Sequence, residues 1–153
     1  MRIGYLINRY PTASHSFIRR EIHAVEATGT EVVRFSIRPV GPFEVPDLRD
    51  RAEQLQTEAL LQVGIPRLMI DAGRIFVMSP LRSMRALAVA FVGNDRRVTS
   101  LIRHLAYFFE GAALAMRVKS HSIDHLHAHF GTKSAIVPRL ANNPFGIFYG
   151  HDP

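Results

Sequence analysis

Residues 3–38 read IGYLINRYPTASHSFIRREIHAVEATGTEVVRFSIR, and this stretch decides the fold. Its apolar opening, 3–7, predicts a buried strand that ends in a polar, proline-containing loop. A helix is predicted next, with Ser14 as its N-cap, apolar residues at helical spacing and Gly29 as its stop. Alternating apolar residues in 33–37 predict a second strand. Strand, helix and strand in so short a stretch indicate a βαβ unit, whose strands are parallel.

The same patterns continue the alternation of helices and strands along the chain. The predicted elements are a loop at 39–46, a helix at 46–63 broken by Gly64-Ile65-Pro66, two or three helices in 67–91, a turn at 93–95, a helix at 100–118, a strand at 123–128, a helix at 132–141 and a strand at 146–149. This order predicts an α/β fold with a Rossmann-like parallel sheet flanked by helices. Ligands in such folds bind beyond the carboxyl ends of the strands, here after Ile7, after Ala128 and at the end of the chain.

Two of the predicted helical segments have recognisable faces. In 100–118, the charged residues lie seven apart on one side of the predicted helix: Arg103, Glu110 and Arg117. The apolar residues lie on the opposite, core-facing side: Leu101, Leu105, Phe108, Ala112 and Ala115. The second has an apolar face within 67–91, made of Leu81, Met84, Leu87, Ala88 and Phe91.

Length and composition limit the class of protein. The chain has 153 residues, of which 47% are apolar and 21% charged, as expected of one globular domain. It has no cysteine, which excludes a disulfide scaffold, a thiol nucleophile and a cysteine zinc site. The longest stretch without a charged residue, 140–151, is too short for a membrane span, and the apolar run after Met1 is too short for a signal peptide. The predicted location is the cytoplasm.

The net charge of +6 is concentrated in one segment, 65–120. Nine basic residues and three acidic ones fall there, so the remainder of the chain is neutral. A basic surface at Arg67–Lys119 can attract nucleic acid, phosphorylated substrates or anionic lipid, and the alternative is an ordinary solvated face. Nucleic acid is disfavoured because the aromatic residues of the segment, such as Tyr107 and Phe108, have the spacing of helix cores rather than of a stacking platform.

The loop between the first strand and the first helix is a candidate anion site. Residues 8–17 place Ser14 and Ser16 beside free backbone N–H groups at the positive end of a helix dipole. The segment has neither the G-x-G-x-x-G pattern of dinucleotide sites nor a P-loop. An ordinary capped helix preceded by a proline turn is the alternative interpretation.

Two histidine-containing segments follow. His125, His127 and His129 lie two apart, so on a strand they would share one face as a possible three-histidine metal site. Lining a cleft without binding a metal is the favoured interpretation. At the end of the chain, His151 and Asp152 could form an acid–base pair, and a frayed terminus is the alternative.

Two blocks of sequence carry a resemblance to a known family. They are Tyr10-Pro11, Ser14-His15-Ser16-Phe17-Ile18, Glu21-Ile22 and Gly29 in the first, and His125-Leu126-His127-Ala128-His129-Phe130-Gly131 in the second. In this order they resemble the N-terminal domain of retaining GT-B glycosyltransferases of the glycosyltransferase 4 family, the bacterial exopolysaccharide or colanic-acid type. His15 replaces the usual glutamate of that pattern, and Tyr149-Gly150-His151-Asp152 departs from its His-Ala/Gly-x-Asp motif.

The resemblance implies an activity and a set of site residues. The full enzyme would transfer a hexosyl group from a nucleotide-sugar to a lipid-linked or growing polysaccharide, without a metal or other cofactor. Residues 1–153 would be a single, truncated acceptor-side domain that lacks the C-terminal nucleotide-binding domain and is inactive alone. His151 is the implied catalytic residue, and the implied substrate-binding residues are Tyr10, Ser14, His15, Ser16, Phe17, Glu21, His127, His129, Gly131, Tyr149 and Asp152.

Two further expectations accompany this family assignment. The Arg67–Lys119 segment is expected to make peripheral contact with an anionic inner membrane, because the acceptor of the family is usually membrane-bound. The alternative to an enzyme is a non-catalytic α/β module that binds an anionic ligand or a partner.

Overall fold

The computed structural model describes residues 1–45, 47–91, 98–129 and 148–151. Its strands and α-helices are β1 (Arg2–Arg9), α1 (Ser16–Ala27), β2 (Glu31–Arg38), α2 (Leu48–Gln56), β3 (Thr57–Ala59), α3 (Gly64–Met78), α4 (Pro80–Phe91), α5 (Val98–Ser120), β4 (His125–Ala128) and β5 (Phe148–His151). Short 3-10 helices at Ala13–His15, Pro42–Glu44 and Leu60–Val63 join some of them.

The strands form one parallel sheet in the order β3-β2-β1-β4-β5. β1 is central: Leu6 lies opposite Phe35 of β2 on one side and opposite Ala128 of β4 on the other. Helices flank this sheet, so the predicted α/β Rossmann-like architecture is confirmed. None of the described helices combines the length and apolarity needed to cross a bilayer.

A separate apolar core lies on each face of the sheet. The smaller core packs α1 on β1 and β2 and contains Tyr5, Ile7, Tyr10, Ile18, Ile22 and Val32. The larger core packs α3 and α5 on the other face, with Leu6, Phe35, Ile75, Leu114, Val118 and Leu126 among its members. Successive residues of β1 therefore serve opposite cores, as the two-residue period of a strand requires.

Two predictions about local structure are wrong. Ser14 is not the N-cap of α1, because a 3-10 turn at Ala13–His15 precedes the helix and His15 occupies the cap position without a side-chain bond. The predicted helix 46–63 is instead α2 followed by β3 and a 3-10 turn. Thr57–Ala59 leaves the helical path because it pairs with β2 opposite Arg34–Ser36, a tertiary contact that outweighs local helix propensity.

Two of the charged residues on the predicted polar face of α5, Glu110 and Arg117, are buried. Arg117 is buried because its guanidinium bonds Asp71 of α3 at 3.0 Å and also contacts Glu58 of β3. Glu110 is also buried, whereas Leu105 from the predicted core-facing side is 41% exposed. Phe108, Ala112 and Ala115 from that side are buried as predicted. The helix 132–141 and the turn 93–95 lie outside the described residues.

Candidate functional site

Four side chains from β1, α1, β4 and the residue that follows β4 meet on the α1 face of the sheet. We call them the Glu21 cluster: Tyr5, Glu21, His127 and His129. The Tyr5 hydroxyl donates a hydrogen bond to Glu21 Oε1 at 2.8 Å. Glu21 Oε2 lies 3.3 Å from His129 Nε2, and Glu21 Oε1 lies 4.0 Å from His127 Nε2. One carboxylate therefore joins the first helix to two neighbouring strands.

The cluster follows directly from strand register and helix spacing. Tyr5 and His127 are opposite each other across the β1–β4 pair, so their side chains share a face. The His129 N–H donates to the Leu6 carbonyl at 3.0 Å, which continues this pairing beyond β4 and returns His129 to the same face. On α1, Ile18 and Ile22 are buried, and Glu21 lies at the edge of that buried stripe.

Aromatic contacts hold the two imidazoles in place. The ring centroid of Tyr5 lies 5.0 Å from that of His127 and 5.7 Å from that of His129, over which it stacks. Phe17 of α1 meets His129 edge-on at 6.2 Å. Such arrangements are among the favourable geometries for ring pairs.

Burial separates the cluster into an inner and an outer part. The side chains of His129 and His127 are 7% and 18% exposed, whereas the Glu21 side chain is 40% exposed. Phe17 is 45% exposed and lies beside them. Among the described residues, a ligand approaching from solvent would therefore meet the Glu21 carboxylate and the Phe17 ring before either imidazole.

Part of the cluster has the composition of a metal site. Glu21, His127 and His129 offer one carboxylate oxygen and two imidazole nitrogens that all lie within 4.8 Å of one another. Two histidines and a glutamate form a ligand set that zinc accepts. His125 does not belong to this group, so the structure replaces the three-histidine alternative by a different set of donors. The expectation that the chain binds no metal stays a prediction.

The loop before α1 is anchored through Tyr10. Its buried hydroxyl donates to Glu53 Oε2 at 2.9 Å, and its backbone N–H donates to Ser36 Oγ at 3.1 Å. Burial and the Glu53 carboxylate raise the pKa of the Tyr10 phenol, so the group stays neutral. The Tyr10–Pro11 peptide bond is cis. The Tyr10 side chain supports the loop from inside, and its role in substrate binding stays a prediction.

The remaining loop residues lie at the edge of the cluster. His15 is half-buried, and its ring lies 6.5 Å from that of Phe17. Burial lowers the pKa of His15, and the nearby His129 acts in the same direction. Ser14 is exposed with its hydroxyl 3.3 Å from that of Thr12, and Ser16 begins α1. Binding of a ligand by Ser14, His15 and Ser16 stays a prediction.

The other predicted site residues are described only by backbone or not at all. β5 places Tyr149 opposite Leu126 and His151 opposite Ala128, so this segment ends beside the same edge of the sheet as β4. Gly131 and Asp152 lie outside the described residues.

Sequence reasoning missed the residues that support the site. Tyr5 lies inside an apolar strand run, where a tyrosine is typical of a core, and its bond to Glu21 depends on where α1 lies. Behind Tyr10, buried Arg34 bonds Glu53 at 2.9 Å and both oxygens of Glu26 at 2.7 and 2.9 Å. The Arg34 guanidinium lowers the pKa of Glu26. The charged residues Arg34 and Arg38 on an alternating strand were the available signal for such a partner.

No family model, curated protein or solved structure matches this chain. The chemistry of the site therefore follows from its own geometry. A half-exposed carboxylate accepts hydrogen bonds, an exposed aromatic ring packs against the apolar face of a ligand, and imidazole nitrogens can donate or accept hydrogen bonds.

Proposed function

We propose that this chain is the acceptor-side domain of a retaining GT-B glycosyltransferase. The complete enzyme transfers a hexosyl group from a nucleotide-sugar to a lipid-linked or growing polysaccharide at the inner face of a membrane. The observation that carries the proposal is the contact between the two sequence blocks: Glu21 of the first block pairs with His129 of the second. Blocks so far apart in the chain that share one polar cluster are expected to share one task.

The exposed edge of the Glu21 cluster suits a sugar. In this proposal, the Glu21 carboxylate accepts hydrogen bonds from two hydroxyl groups, and the Phe17 ring packs against the C–H face of a pyranose. His129 and Tyr5 act as positioning residues, because they fix the carboxylate from beneath. His151 is proposed to be the catalytic residue, at the end of the neighbouring strand β5.

A calorimetric titration tests which half of the reaction this chain serves. We expect the isolated chain to show no sugar transfer and only weak binding of UDP- and GDP-sugars, because the resembling family carries its nucleotide pocket in a second domain. Saturation-transfer NMR with a panel of hexose trisaccharides should nevertheless detect binding. Phe17→Ala should lose most of the transferred signal, since the ring supplies the apolar contact.

A matched variant keeps this test specific. Phe43 is 98% exposed and is not part of the Glu21 cluster, so Phe43→Ala removes a comparable exposed ring and should leave the signal unchanged. Equal loss in both variants, or micromolar binding or turnover of a nucleotide-sugar by the chain alone, would overturn the proposal. One zinc ion per chain in tag-free protein, lost in His129→Ala, would instead favour a metal centre at the cluster. Tight binding of pyrophosphate without any sugar signal would favour the non-catalytic anion-binding module.

A further inference from the structure

A groove of about 440 Å³ lies between α3 and α5, on the side of the sheet opposite the Glu21 cluster. Its walls are apolar and include Leu61, Ile65, Leu68, Met69, Leu105 and Phe109. Among the described residues that line it, Glu110 is the only one with an ionisable side chain. Pockets that bind small molecules have this size and an apolar lining with a few polar groups that orient the ligand. The groove therefore has the form of a binding site in which Glu110 is the orienting group.

Helical spacing aligns the apolar walls of this groove. On α3, Leu68 and Met69 follow Ile65 by three and four residues. On α5, Phe109 follows Leu105 by four residues. Each set therefore forms one stripe along its helix. Ile65 is 73% exposed, Met69 59% and Leu105 41%, whereas Leu68 is buried. The rim of the groove is thus open to solvent, while its inner side belongs to the protein interior.

Glu110 brings a carboxyl group into these apolar surroundings. The residue is only 9% exposed, and no hydrogen bond or ion pair joins its side chain to another described residue. Burial raises the pKa of the carboxyl, and the charge of Arg38 at the end of β2 offsets this only in part. A buried polar group without a bonded partner is costly, so a ligand that supplies the partner is favoured at this position.

A cationic nitrogen is the ligand group that suits Glu110 best. An ammonium group donates hydrogen bonds to a carboxylate and also supplies the opposite charge, which makes these bonds stronger than neutral ones. A metal ion would find a single carboxylate among the described lining residues, which is fewer ligands than zinc or calcium needs. An anion would be repelled by the carboxylate and would find no cationic side chain along the described walls.

We propose that the groove between α3 and α5 binds a small organic amine with an apolar body. The ammonium group of the ligand bonds the Glu110 carboxylate, and its alkyl or phenylalkyl body lies against Met69 and Phe109. Burial of the body supplies affinity, while the single ionic hydrogen bond selects amines over alcohols and acids. The groove shares no residue with the Glu21 cluster, so amine binding and the proposed sugar binding can fail independently.

An NMR titration of the full 153-residue chain with phenylbutylamine tests the proposal. With isotope-labelled methionine methyl groups, the Met69 resonance should shift saturably, because its side chain lines the groove. The Met1 resonance should stay unchanged, since Met1 is 79% exposed and does not line the groove. Phenylbutanol has the same body without the charge and should bind at least about tenfold more weakly. Phenylbutyrate, which carries a carboxylate, should not bind.

Two variants separate the ionic contact from the apolar one. Glu110→Gln should weaken phenylbutylamine binding at least about tenfold and leave phenylbutanol binding unchanged, because only the charge is removed. Ile65→Ser, at the exposed rim, should weaken the binding of both ligands through loss of apolar contact. Glu31→Gln and Leu55→Ser are the matched controls, since both residues are exposed and lie outside the groove. Neither control should change the affinity for phenylbutylamine.

Several results would overturn the proposal. These are the absence of a saturable Met69 shift, equal affinities for the amine and the alcohol, or a loss of amine binding in the control variants. Tighter binding of phenylbutyrate than of phenylbutylamine would assign the groove to carboxylic acids instead. A Met69 shift that appears without ligand and follows dimer formation in sedimentation velocity would assign the groove to a second copy of the chain.

Discussion

At the scale of single residues, Glu110 is an acid in an apolar setting. It is 9% exposed on α5 and lines an apolar groove of about 440 Å³ between α3 and α5, beside Met69 and Leu105. Burial raises the pKa of the Glu110 carboxyl, and Arg38 offsets this only in part. The folded state therefore holds the proton more tightly than the unfolded state does.

This imbalance predicts how stability depends on pH. Between the unfolded and folded pKa values of Glu110, the folded chain binds more protons, so its contribution to the free energy of unfolding falls as pH rises through that window. Glu110→Gln should remove this dependence and be at least as stable as the natural chain at pH 7. Urea unfolding of the natural chain and of Glu110→Gln at several values from pH 4.5 to 7 measures how the stability of each depends on pH. Parallel curves would contradict the prediction, and exposed Glu31→Gln is the control.

The sequence could predict three of the four members of the Glu21 cluster but not its geometry. Glu21, His127 and His129 were identified because they belong to two recognisable blocks. That Glu21 bonds Tyr5 depends on the angle at which α1 crosses β1, and no spacing along the chain encodes that angle. The sequence also could not predict that the Tyr10 side chain points inward, since its hydrogen-bond partner Glu53 is far away in sequence.

At the scale of elements, the ion pair between α3 and α5 is the most testable contact. Asp71 is fully buried and Arg117 nearly so, and Glu58 of β3 completes the group. Asp71→Ala should lower the free energy of unfolding by about 3–5 kcal/mol, because it leaves a buried guanidinium without its fully buried counter-charge. Urea unfolding monitored by circular dichroism gives the value.

An exposed pair is the matched control for this measurement. Arg2 and Glu31 lie 2.8 Å apart, but the Glu31 side chain is 61% exposed. Glu31→Ala should therefore cost no more than about 1 kcal/mol, since solvent screens such pairs. Similar losses in the two variants would show that the interior does not depend on the Asp71–Arg117 pair.

Elements whose existence depends on distant partners were the ones that sequence reasoning missed. The apolar period of α5 identified the helix and most of its apolar face. It could not identify Asp71 and Glu58, the carboxylates whose pairing with Arg117 allows that residue to be buried. β3 spans Thr57–Ala59 and exists because β2 pairs with it, so no local pattern of three residues could have predicted it. Strand β1, with its long apolar run, was predicted correctly because burial on both faces leaves a continuous signal.

At the scale of the whole molecule, β1 connects both halves of the sheet and both cores. It pairs with β2 and β4, and its residues alternate between the α1 core and the α3–α5 core. The βαβ pattern predicted parallel strands, but strand order depends on contacts between segments remote in sequence. Cooperative unfolding is therefore expected to require β1 to separate from its neighbours.

Gly4 is where this central connection is tightest. A Cβ atom added there would lie 3.0 Å from Leu126 Cδ1 and 3.2 Å from Phe35 Cε2, so side chains of both neighbouring strands would have to give way by a few tenths of an ångström. Gly4→Ala should lower the free energy of unfolding by about 1–3 kcal/mol through overpacking. The loss should appear in hydrogen exchange as faster exchange of the slowest amides in β1, β2 and β4 together. Gly73→Ala, at an exposed position of α3 where the added Cβ meets no neighbouring group within 4 Å, should instead stabilise by about 0.5–1 kcal/mol. Faster exchange confined to β1 in Gly4→Ala would mean that the sheet does not open as one unit.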